Sequence, residues 1–548
     1  MRKKKNSEVK ITDVKYPNIS IGQDQDGNTV EFKGGVLGQT CKVKITRNRK
    51  DYKKGKYIEL LENSSLENSR NYCPQADICG GCAYQKLSYE TELMLKQDMV
   101  KKLLADNDIC YEDEIPINRS PKVEAFRNKM EYTFGDAYIG GELILGLHRQ
   151  NRFYEIVNTI DCNVIDEDFN TIRSAVQKYF REKNTDFYHK SKKEGLLRHF
   201  IIRKAHRTGE IMAILVTTSD ESFDQIRKKL FVNFLNNVEL NGKIVSIFHV
   251  INDSPADAVV PERVELLYGK DHITEQMLGL KFNISPFSFF QPNVFTAEKL
   301  YKKAFDFAEI DESMNILDLY SGTGTITQVM ASRAKSATGI EIVAEAVEKA
   351  KENARLNEIE NINFLCGDVL EEIENVKGNY DAVILDPPRA GIMPEALEKI
   401  IAINPKKFVY ISCNPKTQVE NLKDFIANGY EIKKYEIIDQ FPNSRHVETV
   451  ALLSKLNTEH HLDLEIGENE LQEIEFNKKA TYEEVKEYVL EKRGLKVSNL
   501  YIAQVKRKHG LIERENYNVS KKENQRVPNC PEEKEKAIED ALEHFGMI

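Results

Sequence analysis

Two segments of the chain place a reactive side chain directly after an apolar run. "AVILDPPRAG", residues 382–391, ends its apolar run at Asp386, and "VYISCNPKT", residues 409–417, ends its run at Cys413. The proline after Asp386 ends a strand and fixes the following loop. The carboxyl ends of parallel strands meet at one edge of a sheet, where ligands bind. We therefore expect Cys413 to be a nucleophile at that edge, and a buried structural cysteine is the alternative.

A glycine-rich turn and two acidic residues predict a cofactor site at the same edge. The turn lies in "ILDLYSGTGTIT", residues 316–327, where a strand passes into a helix and a ligand can approach the backbone. Thr327 occupies the place of the third glycine of a dinucleotide fingerprint, which disfavours NAD or FAD. Glu341 ends the next strand and suits two ribose hydroxyls, and Asp368 ends the third and suits an adenine amino group. Asp368 alone is better explained as a helix N-cap, but the three features together indicate S-adenosylmethionine.

The last apolar segment of this region supplies candidates for a general base. "DQFPNSRHVETVALL", residues 439–453, contains His446 and Glu448. Glu448 is the better base if burial raises its pKa. A polar pair on an edge strand is the alternative for both residues.

Three cysteines form a second cluster, in "YCPQADICGGCAYQ", residues 72–85. Their spacing, Cys73-x5-Cys79-x2-Cys82, suits zinc or an iron–sulfur centre, because both accept four thiolates. Spacing alone does not choose the fourth ligand from the remaining candidates, which are Cys41, Cys110, Cys162, Cys366 and Cys530. Nine scattered cysteines do not resemble a disulfide framework.

The composition fits a multidomain protein that contacts a polyanion. The chain has 548 residues, of which 41% are hydrophobic and 30% charged. Residues 1–60 hold 15 Lys and Arg against 7 Asp and Glu, although the formal net charge of the chain is −9. This basic end predicts nucleic-acid contact, and a solvated tail is the alternative. With no apolar run that would span a bilayer and no secretion signal, the sequence predicts a cytoplasmic protein without membrane contact.

Periodicity predicts the elements that carry these residues. Short strands between turn signals over residues 8–62 predict a small β-barrel, and residues 63–70 a polar linker. Apolar residues at helical spacing predict a helix over 89–107. Residues 125–270 predict a mixed region of hairpins and helices. Strand and helix patterns alternate over 272–455, which predicts a doubly wound, mostly parallel sheet of the Rossmann type.

The catalytic segments resemble a known family. "DPPRAG", "YISCNPKT" and "DQFPNSRHVETV" are similar to the signatures of bacterial RNA uracil-C5 methyltransferases, which methylate uridine in 23S rRNA or in the T-loop of tRNA. "SFFQPN", residues 288–293, resembles the segment that opens their catalytic domain. "FRNKMEYTFG", residues 126–135, resembles a segment expected to face RNA. The resemblance covers residues 1 to about 455 in the order of the family.

The resemblance implies the reaction and a role for each site residue. Addition of the Cys413 thiolate at C6 of uracil makes C5 a nucleophile for the methyl group, and Glu448 then removes the C5 proton. Asp386 is expected where cofactor and target base meet. The implied contacts to S-adenosylmethionine are Gln291, Tyr320, Thr325, Glu341, Asp368 and Asp386.

The resemblance also completes the cysteine cluster. The rRNA enzymes of the family have this spacing and a distant fourth cysteine in a stretch like "EIVNTIDC", which implies Cys162 as the fourth ligand and a structural [4Fe–4S] cluster. The barrel resembles a TRAM domain, an oligonucleotide-binding fold. Bacterial tRNA enzymes of the family lack the barrel and the cysteines, so 23S rRNA is the expected substrate. The protein is expected to be a monomer and not to bind DNA.

Three other functions remain to be compared. The first is uracil-C5 methylation of tRNA. The second is RNA cytosine-C5 methylation, although enzymes of that kind usually carry a cysteine in the Asp-Pro motif and Asp386–Arg389 contains none. The third is a non-catalytic RNA-binding iron–sulfur protein, against which the complete catalytic set argues.

We therefore expect an α/β protein of four parts. Residues 1–65 form a TRAM-like RNA-binding barrel, 66–270 an α+β central domain with the iron–sulfur cysteines, and 271–455 a class I methyltransferase domain. Residues 456–548 form an extension in which 481–518 predict two helices around Gly494. The second helix carries Lys506, Arg507 and Lys508, so the extension is either a helix-turn-helix-like contact to nucleic acid or protein, or a packed appendage.

Overall fold

In the computed structural model of the chain, the described residues are 6–48, 52–68, 72–376, 378–456, 482–509, 530–545 and 547. Residues 69 and 70 of the expected linker lie outside them. The chain divides into two units, Met1–Asn457 and Thr458–Ile548, which are described in turn. Within these described ranges, no helix has both the length and the apolar character needed to cross a bilayer.

The N-terminal strands close into a five-stranded barrel, as the sequence predicts. The strands are β1 (Asn6–Lys15), β2 (Ile19–Asp24), β3 (Thr29–Lys33), β4 (Thr40–Asn48) and β5 (Lys53–Glu62), in the order β1-β2-β3-β5-β4. Alternate residues point inward, and Val9, Val30 and Phe32 belong to the barrel core. Closure leaves no free strand edge. The strand β2 escapes the sequence analysis because "ISIGQD" holds only two apolar residues.

The region after the barrel contributes to two different sheets. Its elements are α1 (Tyr89–Ala105), β6 (Ile117–Asn118), β7 (Lys129–Gly135), β8 (Ile144–Arg149), β9 (Arg152–Val157), α2 (Glu167–Glu182), β10 (Leu197–Lys204), β11 (Glu210–Thr217), α3 (Gln225–Asn236), β12 (Lys243–Ile251) and β13 (Arg263–Gly269). Seven of the strands form a sheet in the order β13-β12-β11-β10-β7-β8-β9. Helices α2 and α3 share one apolar core with this sheet, through residues such as Phe180 and Phe231.

The last part of the first unit is an eight-stranded sheet covered on both faces. Its elements are β14 (Ile273–Met277), β15 (Leu280–Ile284), α4 (Val294–Ala308), β16 (Asn315–Leu319), α5 (Thr325–Ala331), β17 (Ser336–Glu341), α6 (Ala344–Leu356), β18 (Ile362–Cys366), α7 (Val369–Glu372), β19 (Ala382–Leu385), α8 (Pro394–Ala402), β20 (Lys407–Ser412), α9 (Pro415–Ala427), β21 (Tyr430–Ile438) and β22 (Glu448–Lys455). The order is β18-β17-β16-β19-β20-β22-β21-β6, while β14 and β15 pair separately. The five strands from β18 to β20 are parallel, and β22 runs antiparallel between β20 and β21. This is the doubly wound, Rossmann-like arrangement expected from the sequence.

Two elements that precede the seven-stranded sheet in the chain pack on the eight-stranded one. Leu95, Met99 and Leu104 of α1 share a core with Val419 and Leu422 of α9. Strand β6 pairs in parallel with the outer strand β21. The segment expected to belong to the central region is therefore partly built into the eight-stranded sheet.

The second unit contains three described helices, α10 (Tyr482–Arg493), α11 (Asn499–Lys508) and α12 (Glu532–His544). The first two flank Gly494, as expected, and Gly494 takes a positive φ of 66° after α10. Lys506 is buried, and Lys508 pairs with Glu535 and Glu539 of α12. Part of the basic run, for which a contact to nucleic acid or protein and a packed appendage were the alternatives, is thus engaged within this unit. Residues 510–518 of the predicted helical stretch lie outside the described residues.

Candidate active site

The carboxyl edge of the parallel strands gathers the site residues predicted from the sequence. Tyr320 follows β16, Glu341 ends β17, Asp386 follows β19 and Cys413 follows β20. The strand register aligns these ends, because Leu319 pairs with both Ile340 and Leu385, and Leu385 with Tyr410. The βαβ pattern predicted this placement from local sequence alone.

The glycine turn leaves room for a ligand and already contacts Glu341. The N–H of Gly322 donates to one carboxylate oxygen of Glu341 at 3.0 Å, and the N–H of Val343 donates to the other at 2.9 Å. Gly322 has a positive φ of 54°, and a Cβ there would meet open space. A Cβ on Gly324 would instead lie 2.6 Å from the ring of Phe364, so this glycine is required for packing.

The remaining expected cofactor contacts lie beside the turn. Thr325 begins α5 and is buried. Asp368 is the N-cap of α7, and its side chain accepts a hydrogen bond from the N–H of Leu370 at 2.8 Å. The helix N-cap that was the alternative to a cofactor contact is therefore observed. Gln291 is buried, and its side-chain oxygen accepts from Nε2 of Gln440 at 3.1 Å.

Asp318 is a buried acidic residue near the site that the sequence analysis missed. It lies in β16 without any exposed surface, and Oγ1 of Thr327 donates to its Oδ2 at 2.5 Å. Burial, with the nearby charges of Asp386 and Glu341, raises the pKa of Asp318 to about 7. Its Oδ1 has no hydrogen-bond partner within the described ranges. A single aspartate inside the apolar run "ILDLY" was the available signal.

Cys413, Asp386 and Glu448 are largely withdrawn from solvent and lie close enough for their charges to act on one another. Burial raises the pKa of the Cys413 thiol to about 11, and the negative charges of Glu448 and Asp386 act in the same direction. The guanidinium of Arg389 opposes this shift. Burial also raises the pKa of Asp386 to about 7. The free protein therefore holds Cys413 as a thiol at neutral pH.

Glu448 has the environment of a base that awaits a substrate. It begins β22 and is 3% exposed, and burial followed by the charge of Asp386 raises its pKa well above the usual value. Among the residues that the structure describes, none forms a hydrogen bond with its carboxylate. A buried carboxylate without a partner is costly unless it takes a proton or a ligand.

His446, the other candidate base, is already engaged. Its Nδ1 lies 2.8 Å from Nη2 of Arg389. Burial and the charge of Arg389 lower the pKa of His446 to about 4, so the neutral ring accepts from the guanidinium. The backbone oxygen of Arg389 accepts from Nδ2 of Asn414 at 2.9 Å. Arg389 thus links the three motifs that carry Asp386, Cys413 and Glu448, and the geometry favours Glu448 over His446 as the base.

A residue that follows the first barrel strand also lies near these side chains, which the sequence analysis did not foresee. Tyr16 follows β1, is 8% exposed and shares a core with Val447, the residue before Glu448. Burial raises the pKa of its phenol, and the nearby charges of Glu448 and Cys413 add to the shift. Nη2 of Arg445 donates to the backbone oxygen of Gly35 in the barrel at 3.4 Å.

The four cysteines expected to hold a metal lie near one another and form no disulfide. Burial raises the pKa of Cys162 to about 12, and the charges of Cys82, Cys73 and Cys79 act on it in the same direction. Burial also raises the pKa of Cys82 to about 11, to which Cys79 and Cys73 add. Across the described part of the chain, however, no group of three or more Cys, His, Asp or Glu side chains has a ready metal-binding arrangement. The fold therefore gathers four thiols without forming a closed site.

A basic cleft separates the barrel, the cysteine segment and the turn between β8 and β9. Its volume is about 770 Å³. Its cationic lining residues are Lys44, Lys56, Lys86, Arg149, Arg152 and Arg445, and its acidic ones are Glu59, Glu67 and Asp77. An excess of cations in a cleft suits a phosphate backbone.

Comparisons with known proteins give a consistent family. Residues 263–456 match the family model described as tRNA (Uracil-5-)-methyltransferase. The chain is 43% identical to an uncharacterized RNA methyltransferase of Clostridium tetani, over 84% of this chain and 99% of that protein. It is also 43% identical to one of Caldanaerobacter subterraneus, over 82% of this chain and 98% of the relative.

A solved structure extends the similarity to the fold. The Pyrococcus abyssi tRNA (uracil-54, C5)-methyltransferase in complex with S-adenosyl-L-homocysteine aligns with a TM-score of 0.63 and 26% identity. The alignment covers 81% of this chain and all of that one. The likeness therefore extends well beyond the region that the family model matches.

Proposed function

Because the chain belongs to the RNA uracil-5 methyltransferase family and is an S-adenosylmethionine-dependent enzyme, we propose that Cys413, Asp386 and Glu448 methylate C5 of a uridine in 23S rRNA. The observation that carries the proposal is the buried Glu448 carboxylate, which has no hydrogen-bond partner in the described ranges and lies near enough to Cys413 for its charge to raise the pKa of that thiol. A nucleophile and a base placed at the cofactor edge are what this reaction requires.

Cys413 begins the reaction. Its thiolate adds to C6 of the uracil ring, and the electron pair of the C5–C6 double bond moves into an enolate, which makes C5 a carbon nucleophile. S-adenosylmethionine, when bound, supplies the methyl group in electrophilic form. The Arg389 guanidinium favours the thiolate, since its charge lowers the pKa of Cys413.

Glu448 completes the reaction. Once C5 carries the methyl group, the Glu448 carboxylate takes the C5 proton, the C5–C6 double bond forms again and the thiolate leaves C6. The raised pKa of Glu448 makes it a stronger base than an exposed glutamate. Asp386 stands where the cofactor edge meets the Cys413 pocket.

The residues at the glycine turn fit the cofactor. Glu341 would accept from the ribose hydroxyls, and the exposed side chains of Ile342 and Val343 beside it would cover the adenine ring. Gly322 leaves the open space that a ligand requires. Gln291, Tyr320, Thr325, Asp368 and Asp386 are the further proposed contacts.

The substrate proposal rests on the barrel and the cysteines, which resemble those of the rRNA enzymes. Residues 1–65 would bind RNA beside the basic cleft, and the target uridine would be extruded into the Cys413 pocket. Methylation of tRNA is the second candidate, because the Pyrococcus abyssi enzyme is named for tRNA and its alignment extends beyond the catalytic region.

We also propose that Cys73, Cys79, Cys82 and Cys162 hold a [4Fe–4S] cluster. Four neighbouring free thiols suit such a cluster, which takes four thiolate ligands. Its role would be structural, because methyl transfer requires no electron.

One experiment tests the function and the substrate together. The purified protein is incubated with labelled S-adenosylmethionine and either 23S rRNA or tRNA, and the nucleosides are identified by mass spectrometry. We expect label in 5-methyluridine from 23S rRNA. Label in tRNA alone would select the second candidate, and label in 5-methylcytidine alone would overturn the uracil assignment.

A further inference from the structure

Helix α1 carries a buried charge cluster that reaches the catalytic strands. Nζ of Lys96 lies 2.6 Å from Oε1 of Glu92 and 2.6 Å from Oδ1 of Asp439, and donates to the backbone oxygen of Phe441 at 3.1 Å. The three charged side chains are at most 2% exposed. Lys96 and Asp439 are separated by 343 positions, so this contact joins distant parts of the chain.

The second oxygen of Asp439 is also held from the α1 side. The hydroxyl of Tyr89 donates to Oδ2 of Asp439 at 2.8 Å, and accepts the N–H of Ser120 at 2.8 Å. Both carboxylate oxygens of Asp439 therefore have a partner that belongs to α1. The orientation of Asp439 is thus fixed by a helix that lies far earlier in the chain.

Asp439 opens the loop that ends at Glu448. It directly follows β21, and Glu448 is the first residue of β22. Between them, Gln440 donates to the Gln291 side chain at 3.1 Å, and the backbone oxygen of Asn443 accepts from the N–H of Ala83. The 439–447 loop is thus tied to α1, to a proposed cofactor contact and to the cysteine segment.

Stability alone does not explain this cluster. Burying charged groups costs a free energy of desolvation that is about as large as the attraction between them. Well-packed apolar residues in their place often give the same stability of the fold. Apolar replacements would leave the loop without the directed bonds that Lys96 and Tyr89 make to it. A displacement of about 1 Å in a reacting group can cost about 100-fold in rate.

We propose that Lys96 is a positioning residue for proton abstraction, holding the 439–447 loop so that the Glu448 carboxylate faces C5 of the bound base. The inference rests on the proposed roles of Cys413 and Glu448. It gives α1 a role in positioning the catalytic base. It also predicts a defect in one step only, because Glu448 acts after the covalent bond between Cys413 and the RNA has formed.

The experiment uses the full-length Lys96→Met variant, which removes the charge and keeps a side chain of similar length. Two quantities are measured, the Cys413–RNA adduct on a denaturing gel and the rate of 5-methyluridine formation. We expect the adduct to accumulate while turnover falls about tenfold or more, as for an impaired base. Lys101→Met, the same substitution at an exposed lysine of the same helix outside the cluster, is the matched control and should accumulate no adduct.

Glu448→Gln, measured in parallel, separates the two hypotheses. Suppose that Glu448→Gln accumulates adduct, whereas in Lys96→Met the amount of adduct and the rate of turnover fall in the same proportion. The inference on Lys96 is then overturned and the proposed function stands. If Glu448→Gln forms no adduct, the proposed function itself fails. Should Lys96→Met not fold, judged by circular dichroism, Asp439→Asn replaces it, with adduct accumulation again the expected result and a proportional loss the contrary one.

Discussion

The backbone oxygen of Asn443 accepts a hydrogen bond from the N–H of Ala83 at 2.8 Å. Ala83 directly follows Cys82, and Asn443 lies in the loop before Glu448. The same oxygen accepts from the N–H of Tyr84 at 3.1 Å. The cysteine segment thus helps to hold the 439–447 loop in place. The proposed iron–sulfur cluster would stabilise that loop through this contact.

The first prediction concerns the fourth ligand of that cluster. Protein purified without oxygen should show visible iron–sulfur absorbance, and Cys162→Ser should lose it together with its iron, because three thiolates leave the cluster incomplete. Cys41→Ser is the control, since Cys41 lies in the barrel core. Full iron content in Cys162→Ser would contradict the assignment.

The second prediction concerns the nucleophile and the base. Glu448→Gln should accumulate a covalent RNA adduct and lose about 10²- to 10⁴-fold in turnover, because proton removal is blocked after the adduct forms. Cys413→Ala should form no adduct, since it lacks the thiol. Mass spectrometry of the trapped species would locate the bond. Exposed Glu395→Gln should behave as the wild type, and an adduct in Cys413→Ala would refute the assigned role.

The third prediction concerns pH. The free-enzyme pKa of Cys413 is raised to about 11, so its alkylation by iodoacetamide should still accelerate as pH rises above 9. Arg389→Met removes the charge that lowers this pKa and should slow alkylation at a fixed pH. Glu448→Gln removes a charge that raises it and should accelerate alkylation. Peptide mass spectrometry follows Cys413, with exposed Cys110 as the internal reference.

A faster reaction of Cys413 in Arg389→Met would contradict that electrostatic account. Equal changes at Cys110 would show instead that the variant had altered the protein as a whole. Arg389→Met is expected to slow the alkylation of Cys413 and Glu448→Gln to accelerate it. A general loss of structure would change the alkylation rate in the same direction in both variants.

The fourth prediction concerns Tyr16. Its phenol is protonated because the pKa is raised, so it can donate a hydrogen bond near the reacting groups. Tyr16→Phe keeps the packing and should lower kcat/KM for RNA while the melting temperature stays the same. Tyr16→Ala should lower both, since loss of a buried aromatic ring costs about 3–5 kcal/mol. Wild-type kinetics in Tyr16→Phe would show that the Tyr16 hydroxyl takes no part in the reaction.

Local sequence was enough to predict the strand-end residues. Asp386 and Cys413 each follow a buried strand, and the βαβ pattern determines which edge of the sheet they reach. Asp318 escaped because one aspartate inside an apolar run looks like an ordinary strand position. Lys96 and Tyr16 could not be found this way, because the contact of Lys96 with Asp439 and the packing of Tyr16 in one core with Val447 join residues hundreds of positions apart, and no periodic pattern encodes such a contact.

Composition proved a weaker guide in the second unit. Lys506, Arg507 and Lys508 form a basic run, yet Lys506 is buried and Lys508 is paired with glutamates of α12. Net charge along the sequence does not reveal which cations already have a partner within the fold.

The pairing of β6 with β21 also bears on how the catalytic region can be handled by itself. Ile117 and Asn118 cover backbone groups of Ile437 and Ile438, at what would otherwise be an open margin of the eight-stranded sheet. A fragment that begins at residue 271 would expose that margin and the apolar face under α1, and an uncovered strand invites pairing between molecules. A fragment meant to stay dispersed should therefore begin before Tyr89.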